Sequence, residues 1–104
     1  MVKVGKSNNL KRVAYFSEAG YAGITDWVQI ATFVSESNEA ALALESMINA
    51  KLKNQGYLLP KIMWDDLKVP GRRVGATECY SCSYDHAIKV ALQMSGIYEE
   101  HIAE

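Results

Sequence analysis

Twice in this chain an apolar run leads straight into a capped amphipathic helix, and no other feature narrows its fold as far. The first copy is Trp27 to Val34, then Ser35-Glu36-Ser37-Asn38, then a helix from about Glu39. The second is Val74 to Tyr80, then Ser81-Cys82-Ser83, then a helix from about Tyr84. Both runs hold an Ala-Thr pair, Ala31-Thr32 and Ala76-Thr77, and both helices carry a late methionine, Met47 and Met94. Repetition on this scale predicts one ββα unit used twice. The expected fold is therefore α+β: a four-stranded, mainly antiparallel sheet with two helices packed on one face, in the order ββαββα.

Residues 1–9 read as a flexible arm, because Gly5, Ser7, Asn8 and Asn9 offer little to pack, and 97–104 read as a tail of one 104-residue domain. A first strand is expected from Lys11 to Ser17, with Val13 and Tyr15 on one face and Ala14 and Phe16 on the other. Glu18 to Gly23 reads as a hairpin connection into a second strand, Trp27 to Val34, whose apolar groups on both faces suit a central position. Ser37 is the expected N-cap of the first helix, with Asn38 and Ser35 as alternatives. Ala41, Leu44, Ile48 and Leu52 share one stripe of it, and Asn54-Gln55-Gly56 ends it. Tyr57 to Trp64 is the third strand, at an edge or starting in a loop, since Pro60 cannot donate to a ladder. Pro70-Gly71 makes a type II turn into the fourth strand, Arg72 to Tyr80. The second helix is expected over Tyr84 to Ser95, with Tyr84, Ala87, Ile88, Ala91 and Leu92 as its stripe and Gly96 as its stop.

A chain of this length can bury a core without disulfides or a metal. No apolar run reaches the roughly 18 residues that cross a bilayer, and the basic N-terminus lacks the apolar stretch of a secretion signal. With two cysteines, this predicts a soluble protein in a reducing, cytoplasmic setting, with no membrane partner. The net charge of −1 conceals segregation. Residues 1–12 hold four bases and no acid, 13–50 five acids and no base, 51–73 six bases against two acids, and 74–104 five acids against Lys89. That alternation argues against a nucleic-acid partner, which wants one dominant basic face. It fits acids near helix starts and bases near helix ends. It also fits a bipolar surface on which the basic edge of one copy meets the acidic edge of another.

Cys79-Tyr80-Ser81-Cys82, at a strand-to-helix junction, is the sharpest chemical signal. A thiol at a helix N-terminus favours thiolate, which is redox chemistry. Cys79, Cys82, His86 and His101 are the right residue types for tetrahedral zinc, although the gap between the histidines is not a usual zinc spacing. Cys82 with His86, four residues on, has the spacing of a nucleophile and its base. The position after a late hairpin and the want of an orienting acid favour a plainer role. Cys79 then packs as a small apolar residue and Cys82 sits near a cap, so no cofactor and no metal are expected. Asp65-Asp66 reads as a turn rather than an acid pair, because adjacent strand residues point to opposite faces.

Two helices on one sheet face leave the other open, and an open apolar face is a surface for a partner. The expected role is that of a small non-enzymatic binding or regulatory protein acting by protein–protein contact, a homodimer through the open sheet face or a strand edge. Trp27, Phe33 and Trp64 are its expected interface residues. An alternative is a binder of a small anionic ligand or nucleotide. Lys68, Arg72 and Arg73 around one hairpin tip, and Gly20, Tyr21 and Gly23 at the other, would supply its cations and backbone N–H groups. A thiol-redox or zinc protein built on the CxxC is the third.

Overall fold

The computed structural model describes residues 1–5, 12–29, 31, 33 and 35–103, with the backbone alone at 12, 13 and 98–103. Along the chain run β1 (Val2–Lys3), α1 (Arg12–Ala19), a 3₁₀ turn (Tyr21–Gly23), α2 (Asn38–Asn54), β2 (Ile62–Asp65), β3 (Arg73–Ala76), β4 (Cys79–Tyr80) and α3 (Tyr84–Ala103). The class is α+β. The strands form two two-stranded antiparallel sheets, β1 with β4 and β2 with β3, rather than one four-stranded sheet.

β2 and β3 belong to a longer hairpin. Leu58 bridges Tyr80, four residues outward on each arm from Ile62 opposite Ala76, so the register is unbroken. The ladder lapses between them around Pro60, which has no N–H to give. It resumes where Leu59 N–H donates to Cys79 O and Ser81 N–H to Tyr57 O, both at 2.9 Å. β4 therefore lies between β1 on one edge and residues 57–59 on the other. At the tip, Arg72 N–H donates to Val69 O at 3.1 Å with Gly71 at φ 82°, the closure that Pro70-Gly71 calls for.

α2 forms as its sequence demands. Ser37 Oγ accepts from Ala40 N–H at 3.1 Å, Glu39 stands in the first turn, and Lys51 and Lys53 stand in the last. Gly56 takes φ 83°, so that its N–H reaches Lys53 O at 3.0 Å and Tyr57 N–H reaches Leu52 O at 3.1 Å. Leu44, Ile48 and Leu52 are buried against Val90, Ala91 and Met94 of α3 and against Tyr80 and Cys82. Each such side chain contributes about 1.5–3 kcal/mol before the entropy of ordering it.

A second cluster sits on the other side of the hairpin. Ala19, Trp64, Ala76 and Cys79 are buried there, with Tyr21, Leu59, Ile62 and Val74 packed around them. Adjacent residues of β4 thus point into different cores, Cys79 into this one and Tyr80 into the helical one.

Several expectations are corrected. The first strand is helix α1: buried Ala19 and half-buried Phe16 share one side at helical spacing, while Tyr15 stays 40% exposed. The second strand is absent from its described residues. Trp27 N–H donates to Ser17 Oγ at 2.9 Å and Trp27 O accepts from the same hydroxyl at 3.3 Å, so a side chain holds the backbone that a ladder would have held. The first ββα copy is therefore not formed, and only the second copy has its hairpin and helix. The third and fourth strands shorten to 62–65 and to 73–76 with 79–80. α3 continues through Gly96 to Ala103, since one helical glycine costs about 1 kcal/mol and no breaker follows it. Its buried stripe is Ala87, Val90, Ala91 and Met94, which leaves Tyr84 at 56% and Leu92 at 59% exposed. Residues 2 and 3 of the expected arm are paired with β4, and Lys3 Nζ meets Glu78 Oε2 at 2.7 Å. Lys6 to Asn9 of the arm, Lys11 of the first strand, Ile30, Thr32 and Val34 of the second and Glu104 of the tail lie outside the described residues.

Candidate functional site

An open cleft of about 1030 Å³ lies between β1, the N-terminal halves of α2 and α3, and the segment 24–35. Leu44, Ile48, Ala87 and Ala91 form its floor, and Val28, Leu42 and Tyr84 stand among its lining residues. These last three are exposed, Val28 most of all at 72%. Among the described residues, the charged side chains lining the cleft are Lys3, Asp26, Glu45 and Glu78. Lys3 is already held by Glu78 and also donates to its neighbour's carbonyl, Val4 O, at 3.0 Å. The described lining is thus mainly apolar, with charged side chains set among it.

The structure brings the two expected anion-binding loops together. Leu67 N–H donates to Ala19 O at 3.0 Å, Lys68 Nζ meets Glu18 Oε2 at 2.5 Å, and Gly20 faces Leu67 so closely that a Cβ would lie 3.0 Å from Leu67 Cδ1. The cations at this tip each face a carboxylate of their own. Besides Lys68 with Glu18, Arg72 lies 3.8 Å from Asp66 and Arg73 lies 3.4 Å from Asp65. The hydrogen bond and charge of Glu18 hold the Lys68 ammonium above its ordinary pKa. Two of the loop's donors are also spent: Gly23 N–H bonds Gly20 O at 2.8 Å and Gly20 N–H bonds Ser17 O at 3.3 Å. Tyr21 gives its carbonyl to Trp27 Nε1 at 2.9 Å and its ring to Phe16, Trp27 and Trp64.

Asp65 and Asp66 do point apart. Asp65 is exposed beside Arg73, while buried Asp66 accepts from Lys68 N–H at 2.8 Å and Val69 N–H at 3.2 Å, a turn-forming role. Of the three expected interface residues, Trp64 is buried in the second core, and Trp27 and Phe33 are half-buried. The outward face of the β2–β3 pair carries Met63 and Asp65 opposite Gly75 and Arg73, with Lys61 lying across Gly75. That face is largely polar; of the exposed apolar side chains, Met1, Val28, Leu42 and Tyr84 line the cleft, while Leu67, Val69, Leu92 and Ile97 stand outside it.

Cys79 and Cys82 are free and buried, in separate cores. Burial pushes both thiols above the ordinary cysteine range, the reverse of what a thiolate nucleophile needs. Ser83, after Cys82, caps α3 by accepting from His86 N–H at 3.1 Å. The His86 ring turns away to Gln55 Oε1, 2.8 Å from Nε2, and to the Tyr57 ring at 5.1 Å. The side chain of His101 lies outside the described residues. Among the described residues no three metal-ligating side chains converge, and no helix is long and apolar enough to cross a membrane.

Comparison of the chain with protein-family models, curated proteins and solved structures finds no match. The cleft residues Val28, Leu42, Asp26 and Glu45 were not foreseen as a site. Leu42 had one legible signal, an apolar side chain lying off the buried stripe of its own helix.

Proposed function

We propose that this chain is a non-enzymatic binding and regulatory protein that acts by contact, with the cleft as its contact surface. One observation supports this above all: Val28, Leu42 and Tyr84 stand 72%, 53% and 56% exposed along an open apolar cleft. Apolar surface concentrated in this way is favoured where a partner covers it. Two free buried thiols fit a reducing, cytoplasmic setting. A homodimer through a strand edge is the self-recognising form of the same reading. β2 and β3 each have one edge without a strand partner among the described residues.

The small-anion reading draws less support, because the cations of the tip are matched by Glu18, Asp65 and Asp66. The thiol or zinc reading draws less still, because the two sulfurs face different cores. The contact reading is tested with Val28→Asp and Leu42→Asp, at exposed positions where the fold tolerates a charge. Fluorescence of the neutral dye Nile red reports the apolar surface, and sedimentation reports self-association. Dye binding that is strong in the parent and lost in the variants supports the cleft. Equal dye binding by all three proteins, with each a monomer, ends the proposal.

A further inference from the structure

We infer that α3 docks against α3 of a second copy of this chain, antiparallel about a two-fold axis beside Ile88. Tyr84, Ile88 and Leu92, each four residues from the next, form a ridge on the side of α3 turned away from buried Val90 and Met94. Tyr84 is 56% exposed, Leu92 is 59% exposed and Ile88 is half-buried. Tyr84 and Ile88 line the cleft and Leu92 lies beyond it. The docking therefore rests on the reading of the cleft as the contact surface, and it carries that surface along the helix.

The order of charges beside the ridge selects the occupant. Asp85 and Lys89 flank it on its outer side, one turn apart and both exposed. Neither enters an ion pair among the described residues. A two-fold axis across the helix maps each flank onto itself and reverses its direction. Asp85 of each copy then meets Lys89 of the other, offset by about 3 Å along the helix, and the pair forms twice. A foreign helix matches this flank only if it carries the same two charges in reverse order, whereas a second copy does so by symmetry alone.

Shape agrees with charge. Ridges of four-residue spacing lie side by side when two helices cross at about 50°. Tyr84 of one copy then comes beside Leu92 of the other, and Ile88 meets Ile88. The net charge of the whole chain is −1, so little repulsion opposes the approach of two copies.

The full chain is followed by sedimentation equilibrium from about 1 to 500 μM, a range that covers the assembly of a contact this small. A reversible dimer is expected. Leu92→Asp, at an exposed position, should weaken it by about tenfold or more, with far-ultraviolet circular dichroism unchanged. Lys89→Glu and Asp85→Lys should each weaken it about tenfold, because each turns two attractive pairs into two repulsive ones. Mixed in equal amounts, those two variants should pair with each other as tightly as the parent pairs with itself, since the mixture restores both matches. A parent that stays a monomer throughout overturns the inference. So does a dimer that Leu92→Asp leaves intact, which puts the contact elsewhere, and so does a mixture no tighter than its components. Nile red, read at about 1 μM where the chain is a monomer, separates the two levels. If Val28→Asp and Leu42→Asp leave dye binding unchanged, the cleft is wrong as the contact surface. If they abolish it while the parent never dimerises, only the occupant is wrong.

Discussion

The two cores on either side of β4 are built on different terms. Among the described residues the helical one holds nine buried ones, largely from two regular helices, and the Tyr80 hydroxyl within it is satisfied by donating to Asn49 Oδ1 of α2. The aromatic one holds four of the described residues buried, and loop contacts through Tyr21 and Trp27 close it. Its largest side chain, Trp64, buries an indole N–H with no partner among the described residues. A periodic stripe can assemble the first core, whereas the second depends on distant residues agreeing.

The strongest way to break this contrast is Leu52→Ala. Leu52 is wholly buried in the helical core, and the substitution should cost about 2–5 kcal/mol in a urea titration. A loss below about 1 kcal/mol would show that α2 and α3 do not carry the stability. The next test reads the same core by pH. Burial, with Glu78 nearby, pushes the Tyr80 phenol up to about 12, above its ordinary value of 10.0. A folded-state pKa above the unfolded one gives stability that is present below the ordinary tyrosine range and lost as pH rises through about 12. Ultraviolet titration of the six tyrosines should show one late ionisation that Tyr80→Phe removes.

A smaller effect separates the cores directly. Cys79 and Cys82 are built-in reporters, one in each. Under native conditions Cys79 should be alkylated about tenfold faster than Cys82, because the smaller core opens more often. Mass spectrometry of the labelled peptides measures it, and the reverse order would invert the ranking. The smallest change is expected for Trp64→Phe. It loses packed area but also removes a buried donor whose lack of a partner costs about 1–3 kcal/mol, so the net change should stay under about 1 kcal/mol. A loss above about 3 kcal/mol would show that the indole N–H is satisfied after all.

Legibility follows the same division. The capped start of α2, the Leu44, Ile48 and Leu52 part of its stripe (with Ala40 buried in place of the expected Ala41) and its Gly56 stop were readable, as were the Pro70-Gly71 turn and the turn role of Asp66. Arg12 to Ala19 was not. Val13, Ala14, Tyr15 and Phe16 satisfy an alternating pattern on paper, and the choice of helix depends on Trp64 and Tyr21 receiving Ala19 and Phe16. The candidate site was less readable still. Leu44 and Ile48 were foreseen as core but not as the floor of a cleft, and Leu42, Val28 and Asp26 gained meaning only from what stands across from them.

By itself the sequence determined the α+β class, the long central helix and the hairpin tip, because caps, stripes and turns are settled by chemistry within a few residues. The tertiary structure alone decided that the strands split into two pairs, that Cys79 and Cys82 face opposite cores, and that the basic tip is neutralised by Glu18, Asp65 and Asp66. The reason is that an apolar or charged side chain carries no record of which distant surface will receive it. Only closure of the chain supplies that partner.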